Sequence, residues 1–224
     1  MSFSVLKQNA LNQLNGKKKN AALLLLVVSI ITGIVTKLAD TIFPGEELYD
    51  VAEGVTITSQ NPVASIIVVA IGVFLGLGVT SYFLKIVRGQ ETGIDEVFTK
   101  GSIFPKAFVT TLLSSALTAI GCILFIIPGI IISLGYSMIN YIYIDNPEVG
   151  ITEVMKKSRE MMKGHKWEYF CLTLSFLGWM ILGIFTLGLL YFWLIPYMNA
   201  TYANFYEEIK GESDTVEVKA ETEG

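Results

Sequence analysis

Residues 107–144 run for 38 positions without one Asp, Glu, Lys, Arg or His. As a single helix this stretch would be about 57 Å long at about 1.5 Å per residue. A bilayer's hydrocarbon layer is about 30 Å thick. The stretch must therefore turn, and Pro128-Gly129 is the expected place. A second stretch, 170–205, has 36 uncharged residues and the same problem. Thr186-Leu187-Gly188 is its expected turn. Charged residues make up only 16% of the chain, against about 25% in soluble domains. They are crowded between the apolar runs rather than spread along them.

Two more apolar runs, 21–38 and 62–84, precede these stretches. The expected fold is all-α: a polytopic membrane protein with about six transmembrane helices in three hairpins. The spans are placed at about 21–38, 62–84, 107–127, 129–144, 170–187 and 189–205. Residues 1–206 form one membrane domain. Residues 207–224 are acidic and poor in apolar side chains, and a disordered tail is expected there. The first run resembles a secretory signal, but it starts late and no small-residue cleavage site follows, so it reads as an uncleaved span.

Fifteen of the sixteen Lys and Arg residues fall in segments on one side of this arrangement; only Lys37 falls on the other. The positive-inside tendency then puts both termini in the cytoplasm and the protein in the cytoplasmic membrane. The net charge of −4 averages these basic segments with an acidic loop (Asp40, Glu46, Glu47, Asp50, Glu53) and the acidic tail. It gives no reason to expect nucleic acid as a partner.

Two polar segments have helical periodicity. In 3–15, Phe3, Leu6, Ala10 and Leu14 share one face, with Gly16 as a stop. In 146–166, Asn146 and Pro147 suit a helix start. Ile151, Val154, Met155, Ser158, Met161 and Met162 fall on one side; Lys156, Lys157, Arg159, Glu160 and Lys163 fall largely on the other. Both read as amphipathic helices lying in the cytoplasmic interface. Lys156, Lys157, Arg159, Lys163, His165, Lys166 and Trp167 are the candidate contacts to membrane lipids, including anionic ones. A weak repeat links 108–121 with 170–183, sharing Phe, Thr and Gly at an offset of 62. Two unrelated apolar helices can also give such a match.

Chemistry-bearing constellations are sparse. One histidine cannot build a multi-histidine metal site, and no HExxH or CxxC pattern occurs. Cys122 and Cys171 read as two buried small residues near opposite faces. No ionisable residue falls mid-span, where proton- and ion-coupled transporters carry them. Asp145, Glu148 and Glu168 near the inner face read as capping and solvated positions. The sequence thus points away from an enzyme and gives no catalytic, cofactor or metal residues. The leading reading is a non-enzymatic membrane protein acting through lipids, a protein partner or its own copies. The alternative is a small transporter, exporter or immunity-type protein for an uncharged or amphipathic compound. Its path would be lined by a polar cluster of Asn140, Asn199, Asn204, Ser114 and Thr118. The small residues of spans 2 and 3, including Gly72, Gly76 and Gly78, equally suit helix packing.

The run Met162-Lys163-Gly164-His165-Lys166-Trp167, with Ser158-Arg159-Glu160-Met161 before it and Phe170 after it, forms part of a longer pattern. Ser175-Phe176, Gly178-Trp179, Pro196-Tyr197, Asn199-Ala200 and Phe205-Tyr206 complete it. Together they resemble a bacterial integral membrane family catalogued as domain of unknown function 975. The layout is also loosely similar to the membrane domain attached to some glycerophosphodiester phosphodiesterases, without their soluble catalytic domain. The resemblance implies a multi-pass bacterial membrane protein and carries no established activity or catalytic residue.

Overall fold

In the computed structural model, which describes residues 2–52, 55–58 and 61–222, the chain is predominantly helical. Nine α-helices follow in order: α1 Phe3–Gln13, α2 Lys18–Ile42, α3 Pro62–Val87, α4 Phe104–Leu124, α5 Ile126–Gly135, α6 Ile139–Asp145, α7 Ile151–Met161, α8 Lys166–Phe185 and α9 Tyr191–Thr222. Two short strands, β1 Glu47–Ala52 and β2 Val55–Thr58, pair antiparallel between α2 and α3. The sequence reading anticipates no strand in that acidic loop. Glu53 of the loop and Glu223 of the tail lie outside the described residues.

Among the described residues, five segments are long and apolar enough to cross a membrane: α2, α3, α4, the α5–α6 segment Ile126–Asp145, and α8. The sixth expected span corresponds to the first half of α9. That helix runs on through charged residues, so the boundary at 206 does not hold. Ile209 is buried, and Lys210 pairs with Asp145. The segment expected to be disordered begins as a packed helix and stays helical to Thr222.

The turn of the first long stretch also differs from expectation. Phe125, in extended conformation, separates α4 from α5, and Pro128 is the third residue of α5. Proline fits a first helical turn, where backbone N–H groups have no intrahelical partner. Gly129 is needed for another reason: a side chain there would run into Cys122, while Gly121 faces Gly129 and Ile132. Glycine thus lets α4 and α5 approach closely where the chain folds back.

The core draws on α1 to α4 and α6 to α9. α1 packs into it: Leu6, Ala10 and Leu14 are buried, and Lys7 sits over the Phe176 ring of α8 at 4.5 Å. A 3-10 helical turn, Ile94–Phe98, packs on α3. There the backbone of Val97 occupies the space a Gly78 side chain would need, whereas Gly72 and Gly76 face open space. Of the glycines in this run, close packing uses only Gly78.

This contrast is testable. Gly78→Ala is expected to destabilise by about 1–3 kcal/mol through overpacking, while Gly76→Ala leaves stability unchanged or slightly raised. Thermal unfolding in detergent micelles measures both.

Candidate functional site

Three clusters gather the charged and polar groups at the end of α3 that carries Lys85 and Arg88. The first centres on Asp145, the last residue of α6, whose side chain is only 7% exposed. Arg88 donates to it at 2.8 Å and also to Glu207 at 2.7 Å. Lys210 donates to Asp145 at 2.6 Å, and the Tyr206 hydroxyl donates at 2.8 Å. Tyr206 stacks on Tyr141, with ring centroids 4.9 Å apart. Asp145 is therefore not a solvated capping residue. It ties the ends of α3 and α6 to α9. Its partners lie 57 to 65 residues away in sequence, beyond the reach of any local pattern.

The second cluster holds the loop after α3. Glu96 is buried and accepts from Ser81 at 2.6 Å and from Lys85 at 2.6 Å, with Lys100 at 3.0 Å. Burial alone would push its carboxyl up. The hydrogen bonds from Lys85, Ser81 and Lys100 outweigh burial and hold it at about 2.

The third is the basic helix. The apolar side read from the sequence is the side that packs: Val154, Met155, Ser158 and Met162 are buried. The Ser158 hydroxyl donates to the Gly135 carbonyl at 2.8 Å. That carbonyl ends α5, where the helix breaks before α6, so α7 is docked on the break. The helix begins at Ile151 with Gly150 as its cap, not at Asn146 and Pro147. The Pro147 carbonyl instead accepts from Lys106 at 3.0 Å.

The seven basic-face candidates divide into two groups. Lys156, Lys157 and Lys163 are exposed. Lys156 and Lys157 have only loose pairings along the helix, to Glu160 at 3.8 Å and Glu153 at 3.4 Å, which are weak between exposed groups. Trp167 is 72% exposed beside them. Arg159 is exposed as well, while His165 and Lys166 are half-buried. Arg159 lies over the Tyr136 ring at 5.9 Å, and the Lys166 amine comes near Gly135. His165 is held between Glu168 at 3.0 Å and Glu212 at 3.3 Å. Asp145, Glu148 and His165 belong to different groupings, and among the described residues no three His, Cys, Asp or Glu side chains could hold a metal ion. Cys122 and Cys171 are free thiols.

Three of the five residues of the expected polar path have separate partners. Asn204 is buried and exchanges hydrogen bonds with Gln13 of α1, at 2.6 and 3.1 Å, and donates to Ala200. Gln13 also donates to the Val87 carbonyl, which closes a link between α1, α3 and α9. Asn199 donates to its own helix at Ile195, and Ser114 to Thr111. Asn140 and Thr118 are half-buried. Thr110 and Tyr143 form a buried polar pair at 2.7 Å, a pair the sequence reading passes over. An apolar cavity of about 200 Å³ opens elsewhere, between α1, α8 and α9, lined by Leu11, Leu14, Lys18, Trp179, Trp193 and Tyr197 among others.

A family model described as "Protein of unknown function (DUF975)" matches residues 1–128 and 114–213. No curated protein and no solved structure matches the chain.

The Glu96 cluster predicts a pH dependence. Its folded value of about 2 lies below the unfolded value of about 4.3. The stabilisation is therefore complete above about pH 4.3 and is lost as pH falls towards 2. Glu96→Gln is expected to cost about 3 kcal/mol at pH 6, and the gap from wild type should close by about pH 2. Chemical denaturation in micelles across that range measures it.

Proposed function

From the premise that the chain belongs to the DUF975 family of unknown function, we propose that it is a multi-pass protein of the cytoplasmic membrane. It acts without catalysis, and its exposed basic face engages anionic lipid on the inner leaflet. Both termini and α7 lie on the cytoplasmic side in this reading. The charge asymmetry of the loops supports it.

The observation that carries the proposal is the division of cations around α7. His165 is held between Glu168 and Glu212, and Lys166 is half-buried. Lys156, Lys157, Arg159 and Lys163, with the indole of Trp167, are left on the surface. A docked helix presenting spare lysines next to an exposed tryptophan suits the headgroup level of an anionic membrane. The non-catalytic part of the reading draws support from the acids. Asp145 and Glu96 are held as ionised structural groups by cations, an arrangement that leaves neither poised to transfer a proton.

A basic residue near an anionic surface contributes about 1 kcal/mol. Replacing Lys156, Lys157 and Lys163 together by Gln is then expected to weaken anionic-lipid binding about 100-fold. Mass spectrometry of lipids retained after gentle extraction measures the effect. An unchanged complement of anionic lipid in the triple variant would count against the proposal.

A further inference from the structure

We propose that α8 and α9 form a re-entrant hairpin. It enters the membrane from the inner face and turns inside the apolar layer, so that its tip contacts acyl chains instead of the outer aqueous phase. The proposal rests on the orientation given above and goes beyond it, because it concerns how deep one helix pair reaches.

Length alone would let α8 cross. The position of its partner α9 beside α2 and α3 says otherwise. The inner ends are aligned by bonds: Glu207 pairs with Arg88, just past the end of α3, and Asn204 meets Gln13, which reaches the carbonyl of Val87. From Glu207 back to Tyr191, α9 covers about 24 Å, whereas α3 extends about 39 Å from Arg88 to Pro62 at about 1.5 Å per residue. The α2 side gives the same offset. Gly188 and Tyr191 at the hairpin turn share a small cavity with Leu25, Leu26 and Ser29. Ser29 lies eleven residues before Asp40, so the turn stops about 16 Å short of the outer polar end of α2.

The exposure pattern agrees. On α3, burial is concentrated between Leu75 and Ile86; Val63, Ile66 and Val69, further out, are exposed. The outer half of α2 likewise leaves Ile34 and Leu38 uncovered. The α8–α9 pair covers only the inner halves of its neighbours.

The turn is built for an environment without water. Phe185 is 79% exposed, Leu187 95% and Leu189 70%, and no charged residue is near. Backbone in hydrocarbon must satisfy its polar groups internally, and here each amide from Thr186 to Tyr191 does so. The amides of Thr186, Leu187, Gly188, Leu189 and Tyr191 donate to the carbonyls of Leu182, Ile184, Gly183, Thr186 and Gly188. The amide of Leu190 donates to the Thr186 hydroxyl, which itself donates to Gly183. The Tyr191 hydroxyl donates to the Met180 carbonyl at 2.8 Å. Leu187 and Gly188 take left-handed conformations to close this arrangement. The connection between α2 and α3 is of the opposite kind, with Asp40, Pro44 and Glu46 around a strand pair.

Thiol labelling tests the depth. In a Cys122→Ala, Cys171→Ala background, single cysteines are placed as Leu187→Cys, Leu189→Cys, Glu46→Cys and Glu160→Cys. Each is exposed to a membrane-impermeant maleimide in intact cells and in inverted vesicles. The expected result is that Glu46→Cys labels only in cells and Glu160→Cys only in inverted vesicles. Leu187→Cys and Leu189→Cys should react at less than a tenth of those rates in both, and fully once solubilised and denatured. Labelling of either tip position from outside at the Glu46→Cys rate overturns the proposal, because the pair then crosses. Labelling at the Glu160→Cys rate in inverted vesicles overturns it too, because the tip then lies in cytoplasmic water. If Glu46→Cys and Glu160→Cys exchange sides, the orientation fails instead, which separates that failure from an error of depth. Matching gel-filtration profiles establish that each variant is folded.

Discussion

Backbone amides and carbonyls placed in hydrocarbon must find partners within the protein, because lipid offers none. This constraint accounts for most of what the chain does. It explains why the apolar runs are helices and why two long uncharged stretches turn within one or a few residues. It also explains the side-chain hydroxyls that donate to carbonyls a turn earlier along α2, such as Ser29, Thr32 and Thr36. The break between α5 and α6 obeys the same constraint from outside the helix, since Ser158 supplies a donor to Gly135. Docking of α7 and repair of that break are thus one event. The basic face of α7 is presented as a consequence.

The charged groups form the second layer of organisation. A lone buried carboxylate would be costly, and a buried ion pair is weak evidence of net stability. Asp145 meets this with two cations and a hydroxyl, drawn from α3 and α9. Its structural value lies in register. Arg88 fixes the end of α3 against both α6 and α9, and the Gln13–Asn204 exchange repeats that alignment from α1. With these ends aligned in this way, the different lengths of α3 and α9 leave their far ends out of line.

Much of this was legible in the sequence, and the limits have physical causes. The apolar runs and the packing side of α7 follow from composition and a period of 3.6, which are local. The turn near Pro128 was displaced by three residues because proline is a good early helical residue as well as a breaker. The start of α7 was misplaced because the carbonyls after Asn146 serve Lys106 instead of a helix. Asn204 reads locally as one member of a polar path, yet its partner Gln13 is 191 residues away. Lys210 reads as part of a tail until Asp145 is brought beside it. Charge and amide partners across such separations leave no local pattern, so the expected polar cluster was assembled from residues that have other obligations.

The central claim is that the exposed lysines of α7 face anionic lipid. Hydrogen exchange of the protein in nanodiscs tests it most directly, comparing purely zwitterionic lipid with a mixture containing phosphatidylglycerol. The account predicts slower exchange across residues 151–167 in the anionic discs, with α3 and the β1–β2 connection unchanged. Equal exchange of 151–167 in the two lipids would contradict it.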